Sequence, residues 1–192
     1  EDHDEIGTPV HCGECISDEA IANLKLDLPK EVISKRVNGI SVIFPDGTSK
    51  QLTETGYVLE KHLFEQWIAD SAVKEGAKLA LKHKLTSIER IEDNGTFVGW
   101  KCDGKGEMFP IKSKIVIDAS GVAAVCSKFV KPDGVKPLNE KGKVVAGMQY
   151  ELADVPTDGY LDFYIWPKYA EKGYLWMSPK CDGRANVGLV TE

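Results

Sequence analysis

"GYLWMSPKCDGRANVGLV", residues 173–190, holds two short runs of strand-forming residues, "GYLWMSP" and "ANVGLV". Successive side chains of an extended chain point to opposite faces. Tyr174, Trp176 and Ser178 therefore share one face, and Leu175 and Met177 take the other. Upstream, "KVVAGMQYEL" (143–152) and "YLDFYIW" (160–166) are two further strands at fairly regular spacing, so the last fifty residues predict an antiparallel sheet covering one face of something. Two large aromatics on one strand face are ordinary core. They are equally the wall of an apolar pocket to which Tyr160, Tyr164 and Trp166 add rings, with phenol and indole tips offered to a ligand. Composition leaves both readings open.

Before this sheet, "KIVIDASG" (114–121) reads as a buried strand, its apolar run Ile115 to Ile117 opening into a tight turn at Asp118 to Gly121, as parallel strands do at nucleotide sites. "LTSIERIE", "TFVGWKC" and "EMFPIK", separated by "DNG" and "DGKG", predict a meander between residues 85 and 112. From Leu59 to Glu75, Leu63, Phe64, Trp67, Ile68 and Ala72 recur at helical spacing, with Gly76 as the stop. "RVNGISVIFPDGTSKQLT" (36–53) predicts a hairpin turning at "PDG", and "SDEAIANLKL" (17–26) a short helix capped by Ser17. One helix and one buried strand look α/β, yet repeated βαβ units are missing, so a mixed α+β or α/β piece of a larger fold is expected.

The 192 residues are 42% hydrophobic and 28% charged, with a net charge of -6, the profile of an ordinary globular protein. The acidic balance argues against a nucleic-acid partner. No run approaches the ~18 apolar residues of a spanning helix. Five cysteines, Cys12, Cys15, Cys102, Cys126 and Cys181, lack framework spacing and are expected as free thiols in a reducing cytoplasm.

"PVHCGECIS" (9–17) carries a C-x-x-C. A zinc site needs a second pair of ligands, which the other cysteines do not supply. A dithiol at a helix start remains a minor reading, and a loop whose Gly13 lets the backbone approach a ligand leads. The histidines His3, His11, His62 and His83 are scattered and read as solvated, so no metal is expected. The sequence contains no G-x-S-x-G elbow, no P-loop and no G-x-G-x-x-G.

Four stretches taken in order, "EDHDEIGTPVHCGE", "GYVLEKHLFEQWIADSAVKEGAKL", "IVIDASG" and "GYLWMSPK" with "RANVGLV", resemble the geranylgeranyl reductase family of FAD-dependent enzymes. The resemblance implies the fold of the hydroxybenzoate hydroxylase-like flavoproteins: a partial FAD-binding region over 1–143, discontinuous, and the start of an antiparallel substrate sheet over 144–192. It implies FAD as cofactor, with reduced nicotinamide (NADPH) or a ferredoxin as electron donor. The substrate would be an isoprenoid lipid or pigment whose double bonds are reduced, and the location cytoplasmic, with peripheral membrane contact left open. By position, Cys12, Gly13 and Cys15 would contact FAD, with Cys12 also the active-site cysteine. Glu1 would hold the adenosine ribose, and Lys61 stands where many relatives have a flavin-contacting arginine, without that residue's planar fork. Ala119 and Gly121 match an A-D-G turn beside the cofactor in which Ser120 replaces the acid. Tyr174, Trp176 and Pro179 match a Y-x-W-x-F-P motif shaping the substrate site, with Ser178 in place of Phe.

The family's G-x-G-x-x-G unit and its later Gly-Asp segment are absent from these residues, so the chain is expected to be a fragment that binds FAD poorly by itself. The rival reading is a non-catalytic module that grips a lipid tail or a partner protein through the aromatic sheet. A halogenating or aromatic-ring flavoprotein on the same fold is a further alternative.

Overall fold

The structure, a computed structural model, describes residues 1–130 and 144–192. Its contacts divide the chain into two units, Pro9–Ile68 with Val145–Glu192, and Glu1–Thr8 with Ala69–Val144.

In the unit that starts at Pro9, the loop ends in strand β1 (Cys15–Ser17). The Ser17 hydroxyl accepts the amide of Ala20 at 3.1 Å, capping helix α1 (Asp18–Leu24) as its sequence predicts. Strands β2 (Ile33–Val37), β3 (Ile40–Ile43), β4 (Ser49–Leu52) and β5 (Gly56–Leu59) follow. The expected hairpin is β3 and β4, closed by Phe44 N to Thr48 O at 2.9 Å, with Gly47 at φ 82° taking the left-handed position beside Pro45 and Asp46. Helix α2 (Lys61–Lys74) forms where the apolar spacing predicts it, beginning in this unit, whose first stretch ends at Ile68, and Phe64 and Trp67 on it have ring centroids 5.8 Å apart. Gly76, at φ 95°, terminates it: its amide reaches Val73 O at 2.9 Å and that of Ala77 reaches Ala72 O at 3.0 Å.

The other unit contains the meander β6 (Lys84–Asp93), β7 (Thr96–Lys105) and β8 (Ile111–Ser113), antiparallel throughout. Asn94 and Gly95, both at positive φ, form its first turn, the two-residue geometry whose twist matches the flanking strands. The reading of "KIVIDASG" is corrected here. No strand forms over 114–120, and Ile115 and Ile117 are 77% and 86% exposed. A buried parallel strand needs neighbours to take its amides and carbonyls and to cover both faces, and none of the described residues provides them. The turn after it does form: the Asp118 carboxylate accepts from Ser120 N at 3.1 Å, Ser120 Oγ at 2.5 Å and Cys126 N at 2.9 Å.

The chain returns to the first unit as β9 (Ala146–Leu152), β10 (Leu161–Tyr164), β11 (Tyr174–Pro179) and β12 (Ala185–Thr191). These four strands pair antiparallel, as their alternation predicts. Pairing the hairpin β3–β4 to this sheet through a parallel β3/β10 contact, with Ile40 opposite Leu161 and Val42 opposite Phe163, gives six strands in the order β4-β3-β10-β11-β12-β9. The sheet thus draws strands from residues 40–52 as well as 146–191. A second sheet, β1-β5-β2, supplies Val37 and Val58, which with Leu161 make the core cluster, packed by Ile40 and Phe163. Each such side chain removed from water contributes about 1.5–3 kcal/mol. No helix among the described residues is long and apolar enough to cross a membrane.

Candidate functional site

The alternation read from "GYLWMSP" sets up one working face. Phe163 lies opposite Trp176, and Trp176 opposite Gly188, so these residues, with Tyr174 and Ser178, share a side of the sheet. Phe163 and Tyr174 stack edge to face at 5.3 Å between centroids, and Tyr174 and Trp176 at 6.1 Å. Trp176 Nε1 donates to Gln149 Oε1 at 3.1 Å. The aromatic that β10 adds to this row is Phe163. Tyr164, expected there, pairs with Leu175 and faces the opposite side, because strand parity alternates; it stacks on Trp166 instead, at 5.2 Å. Pro179 also has the opposite parity to Tyr174 and Trp176, and is fully buried at the end of β11.

Onto this face folds the C-G-E-C loop. Cys15 Sγ lies 3.4 Å from Ser178 Oγ and donates to Gly13 O at 3.1 Å, while the amide of Glu14 donates to Cys12 Sγ at 3.4 Å. A Cβ on Gly13 would lie 3.6 Å from Trp176 Nε1 and 3.8 Å from Ser178 Oγ, so glycine keeps that space clear and the backbone bare. All five cysteines are free. Cys15 is an exposed residue, yet desolvation of its sulfur pushes the thiol up to about 11, and Cys12 and Glu14 add to this against the lowering hydrogen bond of Ser178. At neutral pH Cys15 is protonated, and α1 begins only at Asp18, so the activated dithiol reading is not supported.

Glu14 holds the loop down. At φ 66° it turns its carboxylate inward, where Oε2 meets Lys180 Nζ at 2.8 Å and also accepts from Asn186 Nδ2. Its Oε1 accepts the amide of Lys61 at 2.8 Å, in the first turn of α2, where a negative charge is favoured. The side chains of Lys180 and Glu14 are each 2% exposed. Lys180 Nζ also reaches Glu60 and Glu151, both at 2.9 Å, and Arg184 bridges the same two carboxylates at 2.7 and 3.0 Å. Ser34 Oγ donates to Glu60 at 2.6 Å. Sequence reading did not assign this network. Its members lie up to 172 residues apart, and a lone Glu between two cysteines carries no local pattern; the paired cations Lys180 and Arg184 around one turn were the available hint.

Burial alone would raise the Glu60 carboxyl, but hydrogen bonds from Ser34, Lys180 and Arg184 outweigh it and hold the group at about 2, below its ordinary 4.5. The unfolded chain therefore binds a proton at Glu60 before the folded one does. The stabilisation from Glu60 is complete above about pH 4.5 and is lost as pH falls towards about 2. Urea midpoints recorded from pH 6 down to pH 2 are expected to fall across that window and to fall less steeply in Glu60→Gln. Parallel profiles would remove Glu60 from this role.

The remaining expected site residues distribute as follows. Lys61 lies in the unit of the loop, and its ammonium is taken by Glu65 one helical turn on. Glu1, Ala119 and Gly121 belong to the other unit. The Glu1 carboxylate is held below its usual range first by the side chain of His3, at 2.6 Å. Ala119 is exposed, and Gly121, at φ 60°, opens the short turn after Ser120.

Residues 143–191 match the family model described as the geranylgeranyl reductase catalytic domain. Over 96% of its length the chain is 33% identical to digeranylgeranylglycerophospholipid reductase 1 of Methanosphaera stadtmanae, spanning 46% of that protein. It is 31% identical to the digeranylgeranylglycerophospholipid reductase of Thermoplasma acidophilum, spanning 48%. Over the residues they share, the chain is similar to members of the geranylgeranyl reductase family. It spans about half the length of the curated relatives it matches. The crystal structure of a geranylgeranyl bacteriochlorophyll reductase-like protein from Thermoplasma acidophilum superposes on all of it, with a TM-score of 0.79, 29% identity and 49% of that chain covered. The flavin-dependent brominase Bmp2 shares the fold at a TM-score of 0.60 and 17% identity, over 94% of this chain and 46% of its own. The architecture is thus that of a partial hydroxybenzoate hydroxylase-like flavoprotein domain with its sheet.

Proposed function

We propose that this chain supplies the loop that faces a flavin ring, and the apolar wall that guides an isoprenoid chain, in an FAD-dependent reductase of lipid or pigment double bonds. The observation that carries the reading is the contact of the Cys12–Cys15 loop with Trp176 and Ser178, some 160 residues away in sequence, at 3.4 Å for Cys15 to Ser178. The relatives named above are reductases, which favours turnover over a non-catalytic lipid-tail or protein-binding module.

The residues present fit one end of the cofactor. Gly13, lacking a Cβ beside an indole edge and a hydroxyl, leaves a bare surface suited to a flat heteroaromatic ring, with Cys12 and Cys15 flanking it. They do not offer a diphosphate site there: the first-turn amide of α2 at Lys61 is occupied by the Glu14 carboxylate, which repels an anion.

A bound reduced flavin supplies the hydride equivalent that an isolated alkene accepts only with difficulty. The chain's own residues position and desolvate the alkene. The row Phe163, Tyr174 and Trp176 takes apolar tail from water, each CH₂ contributing about 0.8 kcal/mol, and fixes the double bond against the loop. Cys12 holds a proton at Sγ for the second alkene carbon. In the flavin-loaded, full-length relative-sized protein, Cys12→Ser is expected to slow alkene reduction by about 10²–10⁴-fold while flavin reduction by the electron donor keeps its rate. Unchanged turnover would remove Cys12 from this role.

A further inference from the structure

Behind β1 lies a cavity of about 190 Å³, within the unit of the loop and the sheet. Val37, Ile40, Leu161 and Phe163 form its apolar part, with Ile16 beside them, while Ser17, Glu54 and Thr55 supply a polar edge. Two features tie it to the working face, and a third fixes its shape. Cys15 lines the cavity, and its sulfur is 3.4 Å from Ser178 on β11. Phe163 belongs both to the cavity and to the aromatic row, 5.3 Å from Tyr174. The apolar part is also the fold's core cluster, so its shape is fixed by packing rather than by mobile loops.

We propose that this cavity is a terminal subsite that receives one branched five-carbon end of the isoprenoid chain and so measures its length. The volume sets the occupant: an apolar cavity of about 150 Å³ takes a benzene molecule, so about 190 Å³ takes a group of five or six carbons and not a twenty-carbon tail. The lining sets the chemistry, since four large apolar side chains leave a polar headgroup no partner among them. A chain lying along Trp176, Tyr174 and Phe163 would enter the cavity at Phe163, placing the end of the tail at Ile40 and Leu161. The proposal rests on the reductase reading for the identity of the chain, and on the cavity alone for the size and apolarity of the group.

The test uses 3-methylbut-2-en-1-ol, a single prenyl unit, titrated into the 192-residue chain with methyl groups labelled for NMR. Methyl resonances of Val37, Ile40 and Leu161 are expected to shift together and saturably. Ile40→Phe, which fills the apolar part, is expected to weaken binding by about tenfold or more while the spectrum stays dispersed; Ile16→Phe fills the cavity from beside it should the first variant not fold. No saturable shift in the folded native chain, or binding unaltered in a folded filled variant, overturns the subsite. In the flavin-loaded longer protein, Ile40→Phe is expected to favour a shorter prenyl chain over geranylgeranyl. If the native protein reduces geranylgeranyl chains and the variant leaves this preference unchanged, the subsite falls and the reductase reading stands. If the native protein reduces no prenyl chain while the prenol titration behaves as expected, the reductase reading falls and the apolar subsite stands.

Discussion

Lys180→Met lowers the stability of the folded chain by about 3–5 kcal/mol, the cost of removing one partner from a buried ion pair. The ammonium of Lys180 is the point where Glu14, Glu60 and Glu151 converge, at 2.8, 2.9 and 2.9 Å. Methionine has the reach but neither the charge nor the donors, so the buried Glu14 keeps only Asn186 and the amide of Lys61. Arg184 continues to serve Glu60 and Glu151, which confines the damage to the loop anchor. Urea unfolding of both chains measures the loss, and adding Glu14→Gln is expected to return part of it because the uncompensated charge goes too. The same release should free the loop, so alkylation of Cys15, whose thiol now packs against Ser178, should quicken. A midpoint shift worth under about 0.5 kcal/mol, the ordinary effect of a surface change, would show that the cluster does not anchor the loop.

Gly188→Ala displaces the aromatic wall and costs about 1–3 kcal/mol through overpacking. Gly188 lies directly across β11/β12 from Trp176, and the indole occupies the space a side chain would need. A Cβ there would stand 2.7 Å from Trp176 Cε2 and 2.5 Å from the carbonyl oxygen of Met148 on β9. Both the ring and the Met148 carbonyl must give way, so the β12/β9 pairing is strained and the hydrogen bond of Trp176 to Gln149 is lost. A large shift of the Trp176 indole N–H resonance and a lowered urea midpoint are expected together. In the longer flavin-loaded protein the same change should raise KM for the isoprenoid substrate more than it lowers kcat, because it disturbs the wall and not the loop. An unmoved indole resonance would mean that the glycine does not seat the ring.

Two different ranges of information produced these features. Periodicity is local, so the helix α2, the capped α1, the "PDG" hairpin, the meander and the four late strands could all be read from runs of five to fifteen residues. The shared face of Tyr174, Trp176 and Ser178 followed from parity alone. The likeness to the geranylgeranyl reductases was legible too, from four segments whose order and spacing carried what no one of them did. What parity cannot say is which strand lies alongside. The β10/β11 register, with Phe163 opposite Trp176, brought Phe163 and not Tyr164 to the wall, and the parallel β3/β10 contact joins segments some 120 residues apart with no local trace. Ile115 and Ile117 carried a strand's pattern without a strand's neighbours, and the pattern could not report their absence from the described residues. The anchor of Glu14 on Lys180 and Asn186, and Gly188 as the seat of Trp176, likewise exist only once distant segments are packed. The sequence by itself determined which segments are extended or helical and which side chains share a face, because those depend on bond geometry along the chain. Only the tertiary structure decided which faces meet and which buried charges pair, because those energies depend on desolvation and on contact between residues the chain separates.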